Sequence, residues 1–185
     1  MKEVEISRWR IVVQGFTNVK IKDPETLLDQ VRKEAKGCEV QFFDASLLAG
    51  FDHLYFAFLN ASRAFETGRN ISKNLSVEAL LCASGQHQIS RAIEILGVKP
   101  NSARIAVTVA AHSLEKAIGT LNRISDFLQG KRSDEVIELT EEKVKVIKAA
   151  FGITDLEIEA TLRESEKDAV TGLLIERGAL LATHG

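Results

Sequence analysis

The sequence predicts an α/β (α+β) fold, a central mixed β-sheet covered by helices, with a helical C-terminal third. Three observations carry that expectation. The N-terminal part reads strand–helix–strand with short joints. The run Arg104–Ala111 (RIAVTVAA) is apolar on both faces, as a central strand covered from both sides requires. Beyond it, apolar residues return only at helical spacing, between acids and lysines.

Taken in order, Trp9 to Val19 alternates enough to be a strand, with Trp9, Ile11 and Val13 on one side. Asp23-Pro24 opens a helix, Asp as N-cap and Pro at the first helical position, and Gly37 closes it after the stripe Leu27, Leu28, Val31. Glu39–Asp44 is short and rich in Phe and Val, a second strand. Phe51 to Phe65 places Phe51, Leu54, Tyr55, Phe58 and Phe65 at i, i+3/i+4 spacing, a helix whose aromatic stripe belongs to a core; Gly68 ends it. Ser76 is placed to cap a further helix, with Glu78 in its first turn where the helix dipole favours an acid, and Ser84-Gly85 stops it. The next helix puts Ile89, Ala92, Ile93 and Leu96 on one expected buried face and His87, Gln88, Arg91 and Glu94 opposite. Ser113 caps a helix running to about Gln129. Thr154-Asp155-Leu156-Glu157 is a capping box, and a last helix, about Glu166 to Thr183, carries Val170, Leu174, Leu180 and Leu181.

Composition narrows the function classes. The chain has 185 residues, 45% hydrophobic and 27% charged, enough for a real core and short enough for one domain, expected to span 1–185. A net charge of −2 excludes a generally basic nucleic-acid footprint but leaves room for a local patch. Two cysteines, Cys38 and Cys82, are no disulfide framework. With no apolar run long enough for a membrane helix and acids in the opening residues, a cytoplasmic protein without membrane association is expected.

Signatures of catalysis fail in turn. The glycines build neither G-x-G-x-x-G nor a P-loop, whose clustered glycines let backbone amides approach phosphate. Ala83-Ser84-Gly85 lacks the first glycine of a nucleophile elbow and reads as a helix end. No pair of His or Cys sits at metal-ligand spacing, and His112, ending the apolar strand, reads as a satisfied buried histidine. Cys82 joined by the fold to His87 or His112 would be a thiolate nucleophile; between Leu81 and Ala83 it also reads as a small buried hydrophobe. The sequence therefore predicts no catalytic residue, no metal site and no cofactor.

Charge offers a different site. From Asn60 to Arg91, the cations Arg63, Arg69, Lys73 and Arg91 outnumber Glu66 and Glu78, against the trend of the whole chain. Packed together with Asn70, Ser72, Gln86 and Gln88, they would form one basic, hydrogen-bonding face suited to phosphates and base edges; an ordinary solvated surface with pairs such as Arg91–Glu94 is the alternative. The C-terminal stripe Val170, Leu174 and Leu181, with Ile153, is either core or a docking face for a partner.

The ordered block Gly68-Arg69-Asn70-Ile71-Ser72-Lys73-Asn74-Leu75, Glu78-Ala79-Leu80-Leu81, Ala83-Ser84-Gly85-Gln86-His87-Gln88-Ile89 and Arg91-Ala92-Ile93-Glu94 resembles the kinase-binding accessory subunit of the KEOPS complex in its archaeal form, the PRPK-binding protein family. Phe51-Asp52-His53-Leu54 and Gly152-Ile153-Thr154-Asp155 extend the likeness over most of the chain; His87 departs from it, standing where archaeal relatives often carry Arg or Lys. The resemblance implies a non-catalytic regulatory subunit in tRNA threonylcarbamoyladenosine modification. It would bind and stimulate a small atypical kinase/ATPase, reach the transferase subunit indirectly through that kinase, and hold the single-stranded 3′ CCA end of tRNA. Arg63, Arg69, Lys73 and Arg91 would then neutralise phosphates, with Asn70, Ser72, Gln86 and Gln88 on sugars or base edges, and Ile153, Val170, Leu174 and Leu181 would dock the kinase. A generic protein-interaction domain without RNA affinity, and a small Cys/His enzyme, are the competing readings.

Overall fold

The computed structural model describes residues 1–100, 102–161 and 164–181, and they divide into two compact units. The first is Met1–Ala45 with Val98–Val136; the second is Ser46–Gly97 with the described residues from Ile137 onward.

The first unit is a sheet with helices. Strands β1 (Lys2–Ile6), β2 (Trp9–Thr17), β3 (Glu39–Asp44) and β4 (Ile105–Ala111) lie in the order β1-β2-β4-β3, and the two-residue β5 (Lys131–Arg132) pairs with β2. Helices α1 (Pro24–Glu34) and α5 (Leu114–Leu128) belong to this unit; α5 packs on β2 and β4, and α1 on α5. The α+β class is as expected, with one correction: the mixed sheet is antiparallel in every pairing among the described residues. The reason is topological. β2–α1–β3 is the strand–helix–strand unit seen in the sequence, and its two strands do run the same way. β4 is inserted between them, antiparallel to both, so the parallel strands are never neighbours.

β4 is buried at all seven positions, as its doubly apolar run predicts. Its Ile105, Val107 and Val109 join Val12, Phe16, Phe42, Leu121 and Ile124 in a core on one side of the sheet. Asp23 caps α1 as expected, accepting from Glu25 N at 3.0 Å and from Thr26 Oγ1 at 2.6 Å, with Pro24 at the first position. Ser113 accepts from Lys116 N at the start of α5. Gly15 is held to Ser133: Ser133 N donates to its carbonyl at 2.9 Å, and a Cβ on Gly15 would lie 2.2 Å from the Ser133 carbonyl oxygen. Backbone cannot yield there, so Gly15→Ala is expected to lower stability by about 1–3 kcal/mol, read as a reduced Tm with an otherwise native spectrum.

The second unit is helical: α2 (Phe51–Thr67), α3 (Leu75–Ser84), α4 (Ile89–Leu96), α6 (Glu141–Phe151), α7 (Asp155–Thr161) and α8 (Glu166–Leu181). The expected end of the last helix at Thr183 lies outside the described residues. α2 and α3 form a hairpin of helices; α4 packs on α3, and α8 lies against α2, α3, α6 and α7. Thr154 and Glu157 make the reciprocal capping box at α7: Thr154 N donates to Glu157 Oε2 at 2.8 Å, and Glu157 N to Thr154 Oγ1 at 3.2 Å. That backbone bond, aided by Arg177, holds the Glu157 carboxyl down at about 2. α3 and α8 come so close that a Cβ on Gly178 would lie 2.3 Å from the Cys82 carbonyl oxygen.

Two local expectations change. Asn74, not Ser76, occupies the N-cap of α3, and Ser76 is buried inside the helix. On α4 only Ala92 and Leu96 of the expected apolar face are buried, while Ile89 and Ile93 are 42% and 49% exposed. The four span one broad arc of the helix, and α4 buries only one edge of it.

Candidate nucleic-acid interface

The turn between α2 and α3 is built by its own polar residues. Gly68 takes the left-handed conformation that ends α2, and Arg69 N donates back to the Ala64 carbonyl at 2.9 Å. Asn70 Nδ2 donates to the Ser72 carbonyl at 2.9 Å. Ser72 Oγ donates to the Asn74 carbonyl at 2.7 Å and accepts from Asn74 N at 3.1 Å. Glu78, buried one turn into α3, turns its carboxylate onto the loop: Ser72 N reaches its Oε2 at 2.7 Å and Ile71 N the same oxygen at 3.0 Å. The loop is therefore an ordered element that presents Arg69 and Lys73, both exposed, with exposed Ile71 between them. Arg63 stands exposed on α2, roughly one and a half turns before the loop.

The eight expected RNA-binding residues do not form one cluster. Arg69, Asn70, Ser72 and Lys73 lie at the α2–α3 turn, with Arg63 before it on α2. Gln86 and Gln88 follow the other end of α3, about 15 Å away along a ten-residue helix, and Arg91 lies in the first turn of α4. Their roles separate as well. Ser72 is buried at 5% exposure and its hydroxyl is committed to Asn74, so it shapes the loop and does not face a ligand. The Asn70 amide is likewise engaged on Ser72, and the Gln86 amide donates to the Ser84 carbonyl at 3.4 Å. Arg91 pairs with Glu94 at 2.5 Å, both groups largely exposed; such a surface pair contributes little and competes weakly for Arg91. Among the described residues no ion pair engages Arg63, Arg69 or Lys73, the three cations nearest the ordered turn.

The kinase-docking stripe needs a correction. Ile153, Val170, Leu174 and Leu181 are 6%, 0%, 2% and 6% exposed. Their apolar side chains are packed within the protein, because α8 turns that face to its neighbouring helices. Among the described residues, the large apolar side chains that these C-terminal helices do expose are Val146 on α6, Leu156 on α7 and Leu180 on α8.

The histidine and cysteine readings also resolve. His112 is exposed and stacks on Trp9 with ring centroids 4.5 Å apart, so it is not the buried histidine. That role falls to His53, 1% exposed, whose Nδ1 accepts from Ala49 N at 3.3 Å and whose Nε2 donates to the Ala83 carbonyl at 2.8 Å. Burial, with the positive charge of Lys143, pulls its pKa down to about 4, against the opposing effect of the Ala83 bond. Cys82 is the small buried hydrophobe: burial, and then the Glu78 charge, push its thiol up to about 12, far from the thiolate a nucleophile requires. Among the described residues, no three His, Cys, Asp or Glu side chains gather as metal ligands, and no helix is long and apolar enough to cross a membrane.

Sequence reasoning missed two features of this region. Glu78 was legible only as an acid favoured by the helix dipole; an acid inside a helix that follows a loop rich in Asn and Ser is the signal that could have marked it. The exposed Ile89 and Ile93 were hidden by an apolar periodicity that does not say which edge of the stripe is covered.

Comparison with known proteins identifies the family. Residues 16–180 match the family described as kinase binding protein CGI-121. The regulatory protein Cgi121 of Methanocaldococcus jannaschii is 31% identical over 117 residues, which cover 63% of this chain and 72% of that protein. With a match that takes in β3, β4, the ordered turn and α8, the chain belongs to the CGI-121 family of kinase binding proteins.

Proposed function

We propose that this protein is the non-catalytic regulatory subunit of a KEOPS complex, binding and stimulating its small atypical kinase/ATPase while holding the 3′ CCA end of tRNA. The family match over residues 16–180 supports the kinase-binding half and the regulatory role. The observation that carries the RNA half is the ordered turn with Arg69 and Lys73 exposed and without ion pairs among the described residues. Guanidinium and ammonium groups held there neutralise phosphates, and exposed Ile71 offers an apolar contact to a sugar or base. Threonylcarbamoyl transfer itself is the work of another subunit, reached through the kinase. The kinase docks on the exposed apolar residues of the C-terminal helices, Val146, Leu156 and Leu180. In this reading the chain works in the cytoplasm as one domain: its two units are interleaved in sequence, which supports a single cooperative unfolding transition.

Charge-to-alanine variants test the face. Arg69→Ala with Lys73→Ala is expected to weaken tRNA binding by about 10-fold or more at moderate salt and to flatten its dependence on salt by about two phosphate contacts. Arg91→Ala, already paired to Glu94, is expected to do less. Kinase binding should survive all three. Unchanged tRNA affinity in the double variant would refute the RNA assignment and favour an interaction domain without RNA affinity.

A further inference from the structure

The buried carboxylate of Glu78 is placed where a bound anion would otherwise sit. Consecutive backbone N–H groups that point into one concavity form a natural anion-binding nest. Here Ile71 N and Ser72 N converge on Glu78 Oε2 at 3.0 and 2.7 Å, and Ile71 N also lies 3.2 Å from Oε1. Glu78 is 3% exposed, so the contact is shielded from water and from salt. Two consequences follow. The Ile71 and Ser72 amides are already satisfied and contribute nothing to an incoming phosphate, leaving its recognition to the side chains of Arg69 and Lys73. The loop is also ordered before any ligand arrives, because losing the carboxylate would leave two backbone donors to find other partners.

We propose that Glu78 is a positioning residue for nucleic-acid capture, an internal anion that fixes the Arg69–Lys73 loop in its binding conformation without touching the ligand. This rests on the tRNA-holding reading of the same turn. It has an unusual sign. On charge alone, replacing Glu78 by a neutral residue removes a negative charge beside two phosphate-binding cations and should tighten RNA binding. Preordering makes the opposite demand: the freed loop must be ordered again at the moment of binding, and that conformational entropy is taken from the affinity. The number of cations that meet phosphate stays the same, so the salt dependence does not change.

The test is Glu78→Met in the full chain, which removes both carboxylate oxygens while keeping the length of the side chain, with an intact tRNA transcript as probe. The variant is expected to keep its helical spectrum and cooperative melt, to be cut by trypsin after Arg69 and Lys73 about 10-fold faster, and to bind tRNA about 10-fold more weakly with an unchanged salt slope. Tighter or equal binding by a folded variant overturns the proposal, as does an unchanged rate of cleavage at those two bonds. If the wild-type chain binds no tRNA even at low salt, the tRNA reading falls and takes the capture role with it, while the cleavage rates still decide whether Glu78 orders the loop. Should Glu78→Met fail to fold, amide exchange in the wild-type chain decides: protected Ile71 and Ser72 amides uphold the clamp, and exchange at open-loop rates overturns it.

Discussion

Leu174→Arg is expected to abolish the folded state rather than merely weaken a binding surface. Leu174 is 2% exposed on the α8 face that also buries Ala169, Val170, Leu173 and Gly178, and α8 packs on α2 and α3. Removing a buried leucine costs about 2–5 kcal/mol. Forcing an unpaired guanidinium into the same space adds several more, against a total stability of roughly 5–15 kcal/mol for a domain this size. Far-UV circular dichroism should show no cooperative melt. Leu180→Arg is the control, since Leu180 is 49% exposed on the same helix and tolerates a charge. Its melt should be native and its kinase affinity reduced. A native melt for Leu174→Arg with kinase binding lost would return Leu174 to the docking face.

Acid should destabilise the protein through His53. The imidazole has both nitrogens engaged, Nδ1 accepting from Ala49 N and Nε2 donating to the Ala83 carbonyl, so the neutral tautomer alone fits. A second proton would have to sit on Nδ1, facing the Ala49 N–H, in a buried site already near Lys143. The folded pKa of about 4 lies below the unfolded value of about 6.5. Between those values the unfolded chain binds the proton and the folded chain does not. The stabilisation is therefore complete above pH 6.5 and is lost as pH falls toward 4, about 3 kcal/mol in all. Urea unfolding between pH 6.5 and 5, before most carboxylates titrate, isolates the effect. His53→Gln should flatten the slope in that window; an equally steep slope in the variant would assign the acid sensitivity elsewhere.

What was legible in the sequence follows from which signals are local. The Asp23 cap, the Ser113 cap and the Thr154–Glu157 box are each written within four residues, and all three form as read. Glu39–Asp44 is a strand with the expected ends, and β4 is buried throughout. β1 went unread: Lys2–Ile6 alternates charge with Val4 and Ile6 and becomes a strand only through its pairing with β2. Sheet order was equally beyond reach, because nothing local says that β4 enters between β2 and β3. Ile89, Ile93, Leu174 and Leu181 share one lesson. Periodicity finds an apolar stripe, whereas the packing of neighbouring helices decides whether it is covered, and here it covers α8 and leaves part of α4 open.

The candidate site divides along the same line. Its charges were legible as a surplus of Arg and Lys between Asn60 and Arg91. Their separation into a turn at one end of α3 and a second group beyond the other end required the length and position of that helix. The buried partners, Glu78 beneath the loop and Ser72 within it, are visible only once their hydrogen bonds are drawn.

The central claim is that the ordered basic turn holds the single-stranded 3′ end of tRNA. The most direct measurement is the affinity of the chain for an intact tRNA against the same tRNA without its terminal CCA, at low and moderate salt. A loss of binding on removal of those three nucleotides, with intact tRNA released as salt rises, is the predicted result. Equal affinity for both tRNAs would place the contacts on duplex backbone and contradict the account.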